Sequence, residues 1–336
     1  MILTNEIPKE AYRNIWILAE MNGEAISPVT HELLGAARGL AEARGADVVA
    51  VVLGSGFEST VEDLAAYGAD SVIYADDKRL AAYNDELEAN LLTRLIKAYR
   101  PEVFLGAATA RGRALIPRLA VKTVSGLTAD CTELTIDAET GELHQTRPAF
   151  GGNLMATIKT PNHRPQMATV RPRVMKALDP DYTRSLQSIV REEILPEETE
   201  NIKRILETVR EHQGAVNLGD AQIIVSGGRA MKGPEGFKML QALADKLGAA
   251  VGASRPCIDA GWMPYAHQIG QTGQTVQTKL YIACGISGQI QHLVGMQGCD
   301  TIIAIDKNPN TPLMQMADVA VCGDVFEIVP ELTKLL

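Results

Sequence analysis

Two hydrophobic periods alternate along most of this chain. Short aliphatic runs at Ile15–Ala19, Asp47–Leu53, Ser71–Tyr74 and Val103–Ala108 read as strands. Around them, apolar residues recur at helical spacing over Val29–Arg44, Thr60–Tyr67, Asp85–Tyr99 and Ala110–Thr123. Strand and helix in succession predict βαβ units and a parallel sheet. From Cys131 to Val170 the pattern changes to shorter segments around the turn Glu139-Thr140-Gly141, including QMATV. These predict antiparallel strands appended to the first sheet. Arg171–Glu198 is rich in proline and charge and has no long apolar period, so the boundary is placed near residue 190. The predicted domains are 1–190 and 191–336. A charged helix over Glu197–His212 is expected to pack on the second.

Alternation resumes from Gln222. IIVSGG, AAVGAS, LYIACGIS, TIIAID and VAVCGD are strand candidates, each close to a small-residue turn. Helical patterns lie at Pro234–Leu247, Gln289–Met296 and Val325–Leu335. The fold class is therefore α/β with two domains. The first is a parallel α/β sheet with appended antiparallel strands, and the second is doubly wound and nucleotide-binding in pattern.

Composition narrows the function classes. A chain of 336 residues suits two domains. With aromatics at only 4%, Val, Ile, Leu and Ala must build both cores, as parallel strands covered on two faces require. A net charge of −9 argues against a nucleic-acid partner, since phosphate backbones need clustered Lys and Arg. No apolar run approaches the roughly 18–20 residues of a membrane span, and the start MILTNEIPKEAYRN does not read as a secretory signal. A cytoplasmic location is expected. Cys131, Cys257, Cys284, Cys299 and Cys322 fall singly, without metal-ligand spacing, and read as reduced, buried thiols.

Four segments carry candidate chemistry, all in the second domain. IIVSGGRAMKGPEGFKML runs from strand through a loop with Gly227, Gly228, Gly233 and Gly236 into a helix. Glycines let a phosphate approach the backbone, and Arg229 adds a fixed cation. The spacing is not the usual dinucleotide fingerprint, and a tight turn with a solvated arginine would look the same. In LYIACGISGQIQH, Ser287 is a plausible N-cap after Gly285, Gly288 keeps the approach open, and His292 lies a turn further. A lone histidine in such a place is more often structural than catalytic. Gly270–Thr278 is a neutral loop of amides and hydroxyls that matches a heterocycle edge, or simply a polar surface. Ser254 and Arg255 follow a strand end, where a guanidinium can lie beside a ring system or merely form a salt bridge. Each signal is weak alone, but their convergence on one doubly wound domain favours a dinucleotide site, and no nucleophile–base arrangement competes with it.

At these residues the sequence resembles the alpha subunit of electron transfer flavoproteins. The matching blocks are VSGGR, GASRPCIDAGW, IGQTG, YIACGISGQIQH, AIDKNP and ADVAVCGDVFEIVPEL, in that order, with a further match near the N-terminus over ILAEMNGEAISPVTHELLGAARGLA. The resemblance covers essentially the whole chain. It implies a Rossmann-like C-terminal domain holding FAD, in a heterodimer with a beta subunit, and a first domain acting as an empty scaffold against that partner. Arg229 and the turn Ser287, Gly288, Gln289, Ile290, Gln291 and His292 would contact the pyrophosphate and flavin. Ser254 and Arg255 would sit by the isoalloxazine, and Ile269, Gly270, Gln271 and Thr272 would line its edge. Asp306, Asp324 and Val325 would lie towards the ribose and adenine. Arg255, His292 and Thr272 are expected to tune the redox chemistry, the first two by stabilising negative charge on reduced flavin. The chain departs from the family pattern at Asp306 and Asn308, which look exchanged, and at Gln274, where lysine is usual.

Such a chain would carry electrons between acyl-CoA dehydrogenase-type partners and a further acceptor. The alternative within the family is an electron-bifurcating complex that oxidises NADH, holds a second FAD in the beta subunit and reduces ferredoxin or flavodoxin. Outside the family stand a nicotinamide-dependent oxidoreductase, for which no proton-shuttling group is evident, and a non-catalytic nucleotide sensor.

Overall fold

The computed structural model describes the chain apart from residues 1–6, 23–24, 138, 150–153, 201, 204, 207–217 and 219–220. It divides into two compact units, Met1–Val209 and Arg210–Leu336.

In the first unit, β1 (Arg13–Ala19) leads through a two-residue pair, β2 (Met21–Asn22) and β3 (Ala25–Ile26), into α1 (Pro28–Arg44). Then come β4 (Val48–Gly54), β5 (Ser71–Asp76), α2 (Asp85–Tyr99), β6 (Pro101–Ala107), α3 (Ala110–Thr123) and β7 (Leu127–Cys131). The remaining strands are β8 (Glu133–Ile136), β9 (Leu143–Ala149), β10 (Leu154–Lys159), β11 (Gln166–Val170) and β12 (Ser188–Arg191). Seven of them form one parallel sheet in the order β12-β5-β4-β1-β6-β11-β7. Alternate residues of β1 feed opposite cores. Ile15 and Ile17 pack with Leu33 and Leu34 of α1, while Trp16 and Leu18 pack with Leu92 of α2 and Leu115 of α3. Helix ends follow local chemistry: Asn84 caps α2 by accepting from the Glu86 and Leu87 amides, and Thr109 caps α3 by accepting from Gly112.

Several expectations change here. Gln166–Val170, the QMATV segment, is a parallel strand between β6 and β7, buried along its whole length; in the stretch from Cys131 to Val170, β8, β9 and β10 are antiparallel and form a separate sheet. Thr60–Tyr67 falls in a 3-10 stretch, Glu58–Ala65, rather than an α-helix. The boundary expected near 190 coincides with β12, the edge strand of the first sheet, which pairs with β5. Pro196–Glu198 forms a single 3-10 turn, and much of the helix expected over Glu197–His212 lies outside the described residues. Cys322 is exposed; the other four thiols are buried.

The strand order reverses at β1, where open α/β sheets commonly bind ligands. Here the chain's own side chains pair with one another. Thr109 Oγ1 donates to Glu20 Oε1 at 2.6 Å, and Arg111 pairs with buried Glu88 at 2.8 Å.

The second unit comprises β13 (Ile223–Gly227), α4 (Pro234–Leu247), β14 (Ala250–Ser254), α5 (Arg255–Asp259), β15 (Gln268–Ile269), β16 (Leu280–Cys284), α6 (Ile290–Leu293), β17 (Ile302–Asp306), α7 (Pro312–Met316), β18 (Val319–Cys322) and α8 (Val325–Leu335). Its six strands are parallel, in the order β15-β14-β13-β16-β17-β18. Numbered along this unit the order is 3-2-1-4-5-6, that of dinucleotide-binding sheets. Phe237 and Leu240 of α4 and Val329 of α8 cover one face with Val225 and Ile282, while Leu313 and Met314 of α7 pack on the other with Ile224 and Tyr281. Among the described residues, no helix is long and apolar enough to cross a membrane.

Candidate functional site

The reversal point of the second sheet lies between β13 and β16; β13 ends in Gly227 and Gly228 follows it, while Gly285 directly follows β16. Gly228 donates its backbone N–H to the Cys284 carbonyl at 3.0 Å, and a Cβ on Gly228 would collide with the Gly285 carbonyl. The two turns can close on each other only because both residues lack side chains. Between them opens a cleft of about 610 Å3, within the range of cofactor sites.

One wall is the β13 turn. Arg229 projects into the cleft, exposed, with no ion pair or hydrogen bond among the described residues. The opposite wall is the β16 turn, with Gly285, Ile286, Ser287, Gly288, Gln289, Gln291 and His292. Gly288 takes φ 79°, which blocks a helical start, so α6 begins only at Ile290 with Gln289 as its N-cap. Ser287 is therefore not the cap, and a four-residue helix supplies little dipole. What this wall offers an anion is the amides of its turn.

Ser254, Arg255, Pro256 and Asp259 enter from β14 and α5. Arg255 is 63% exposed and reaches Asp259 at 3.4 Å, so its charge is partly compensated along the helix. Gln268, Ile269, Gly270, Gln271 and Thr272 form the third side. The Gln271 amide donates to the Gln291 carbonyl at 2.7 Å, tying this loop to α6. The Gln268 side chain donates to Thr272 Oγ1 at 3.0 Å, and the Tyr265 hydroxyl donates to the Thr272 carbonyl at 2.7 Å. Gln274 stands outside the lining; its amide donates to the Ala266 carbonyl at 2.7 Å and closes the loop from behind.

His292 is buried, with Nε2 2.9 Å from the Tyr281 hydroxyl. Burial pushes its pKa down to about 4, opposed in part by the Ile269 backbone. At neutral pH such an imidazole is uncharged and offers the cleft a hydrogen-bonding ring rather than a fixed charge. Asp306, Asn308 and Thr311 line the far end, where Asp306 Oδ1 accepts from the Asn308 amide at 2.9 Å.

Three expected residues do not line the cleft. Asp324 caps α8 through the Phe326 amide and pairs with Lys307 at 2.7 Å, which holds its carboxyl below the usual range. Val325 is in the apolar core under α8, and Ile290 is 58% exposed. Conversely, Gly228, Pro256, Asp259, Gln268, Gly285, Ile286, Asn308 and Thr311 join the lining without having been singled out as contacts. All of these but Gln268 and Thr311 stood within quoted motifs. Asp259 had a readable signal in its i,i+4 spacing from Arg255, whereas Gln268 had none before the loop folded over it.

The observed groups suit an anionic dinucleotide: glycine turns that a side chain would fill, an unpaired guanidinium between them, and a neutral hydrogen-bonding side. Comparison with known proteins points the same way. Residues 15–204 match the electron transfer flavoprotein domain, and residues 217–297 match the electron transfer flavoprotein FAD-binding domain. The chain is 50% identical over 323 residues to the electron transfer flavoprotein subunit alpha of Thermoanaerobacterium thermosaccharolyticum, covering 96% of this chain and 97% of that one. It is 42% identical to protein FixB of Clostridium saccharobutylicum, over 96% of this chain and 95% of that one. It is also 39% identical to the acryloyl-CoA reductase electron transfer subunit beta of Anaerotignum propionicum, over 97% and 96% of the two chains. The chain belongs to the electron transfer flavoprotein alpha-subunit family, and its second unit is that family's FAD-binding domain.

Proposed function

We propose that this chain is the FAD-holding subunit of a cytoplasmic heterodimer with an electron transfer flavoprotein beta subunit, carrying electrons between acyl-CoA dehydrogenase-type partners and a further acceptor. The observation that carries this reading is the cleft at the strand reversal, with Arg229 unpaired between two glycine turns. Arg229 and the amides after Gly228 and Ser287 would hold the pyrophosphate. Ser254, Arg255, Thr272 and His292 would surround the isoalloxazine, and Asp306 with Asn308 would face the ribose and adenine. FAD, when bound, supplies the reversible electron storage. The protein's part is to hold, orient and bias it, which needs no nucleophile or acid–base pair.

The first unit supports a scaffold role. Polar side chains at its reversal point pair with one another, Glu20 with Thr109 and Glu88 with Arg111, while Leu154 and Met155 on β10 remain about half exposed, as a surface for a partner. The dehydrogenase partner is supported by a relative named as the electron transfer subunit of acryloyl-CoA reductase.

The experiment is to purify the chain with its beta subunit and mix it with a substrate-reduced acyl-CoA dehydrogenase. The flavin absorbance should bleach as electrons arrive. No bleaching by any such dehydrogenase, with reduction by NADH instead and two FAD per heterodimer, would favour the bifurcating complex.

A further inference from the structure

Behind the cleft wall, two buried side chains share a hydrogen bond. Tyr281 on β16 is fully buried and does not line the cleft. Its hydroxyl lies 2.9 Å from Nε2 of His292, which does. Ile224, Ile269, Ala283 and Ile302 belong to the same apolar cluster as Tyr281, so no solvent competes for this contact.

Either the phenol or the imidazole must donate. Burial pushes the phenol of Tyr281 far up, so it keeps its proton. Burial pushes His292 down to about 4, so the ring carries one proton at neutral pH. On the other side of the ring, Nδ1 is buried without a hydrogen bond of normal geometry. The Ile269 backbone acts on the ring as an acceptor does, raising its proton affinity. Ser226 is fully buried and follows Ile224 on the same face of β13, and its Oγ has no hydrogen-bond partner among the described residues. Its influence lowers the phenol's pKa, as a hydroxyl donating towards the phenol oxygen would. If Nε2 donated instead, the phenol proton would lose the one acceptor that the described residues offer it at hydrogen-bond distance, an arrangement that buried polar groups avoid.

We propose that Tyr281 is the positioning residue for His292: its hydroxyl donates to Nε2 and holds the imidazole as the Nδ1–H tautomer, in one orientation, at the cleft wall. The meaning of this for electron transfer rests on the FAD reading above. The histidine then presents a neutral, fixed ring edge to the cofactor, and the positive side chains along the cleft are Arg229 and Arg255.

The test reads the proton directly. Long-range 1H–15N spectra of the heterodimer carrying 15N-histidine, assigned by the signals lost in His292→Gln, report which nitrogen is protonated at pH 7. Nδ1 should bear the proton and Nε2 should show the shift of an acceptor nitrogen. A proton on Nε2, or on both nitrogens, overturns the proposal. This parent spectrum decides the matter even if the variant below does not fold. In Tyr281→Phe, which removes only the hydroxyl, the two nitrogens should move towards averaged shifts and FAD affinity should fall roughly three- to tenfold. His292 signals identical to the parent's would overturn the assignment. A protein that takes up no FAD yet shows the Nδ1–H pattern would support the Tyr281 assignment and refute the FAD reading instead.

Discussion

The side-chain amide of Gln268 donates to the hydroxyl oxygen of Thr272 at 3.0 Å, across the loop that forms one side of the cleft. Because Thr272 Oγ1 already accepts there, its own proton is left for the cleft. Gln268 is buried and Thr272 exposed, so the pair aims a surface hydroxyl from an ordered base. Gln268→Leu should keep the fold while releasing the hydroxyl, and weaken FAD binding by about 1 kcal/mol, or roughly five- to tenfold. Titration of apoprotein with FAD measures this. An unchanged dissociation constant would mean that Thr272 needs no such support.

Gly288 combines a φ of 79° with a position where a Cβ would collide with the Leu313 backbone. Gly288→Ala should therefore destabilise the second unit by about 2 kcal/mol or more and lower FAD retention. Gly39, inside α1 with open space around its Cβ, is the contrasting position. Gly39→Ala should stabilise by about 0.5–1 kcal/mol through helix propensity. Thermal melts of the two variants should move in opposite directions.

His292 makes stability depend on pH with a defined sign. Its folded pKa lies near 4, below the ordinary 6.5, so below pH 6.5 the unfolded chain binds a proton that the folded chain does not. The stability it contributes is complete above pH 6.5 and is lost as pH falls towards 4, by on the order of 3 kcal/mol. In His292→Gln the decline of denaturation midpoint between pH 6.5 and 4 should be shallower. Equal slopes in parent and variant would show that the imidazole is protonated in the folded state.

Arg255 is expected to favour negative charge beside it, but its exposure and its contact with Asp259 limit the effect. Arg255→Ala should lower the midpoint potential of bound FAD by on the order of 20 mV, corresponding to about 1 kcal/mol for a two-electron couple. Arg255→Lys should fall between. A potential unchanged in Arg255→Ala at low salt would make the residue a surface ion pair only.

Much of the fold was legible because its helix ends carry local chemistry. Asp85–Tyr99, Ala110–Thr123, Pro234–Leu247 and Val325–Leu335 have the bounds that their periodicity predicts, marked by Asn84, Thr109, Gly248 and Asp324. Gln166–Val170 was misread because a strand buried on both faces shows no alternation to set its partners. Ser188–Arg191 is a mostly exposed edge strand whose pairing comes from β5, which no local pattern signals. At the cleft, glycine turns and the residues next to them were readable because their geometry is local. Gln268 under Thr272 and Tyr281 behind His292 were not, since each gains its role only when the chain closes over it.

The central claim is that the cleft between β13 and β16 holds FAD, and the most direct measurement is the cofactor released from the heterodimer on denaturation. FAD, not FMN, should appear, with at least one FAD per heterodimer. In Arg229→Ala the flavin bound by this chain should fall markedly, with the melting temperature of the first unit unchanged. A colourless heterodimer that also fails to take up added FAD, or a flavin content indifferent to Arg229→Ala and Gly288→Ala together, would contradict the account.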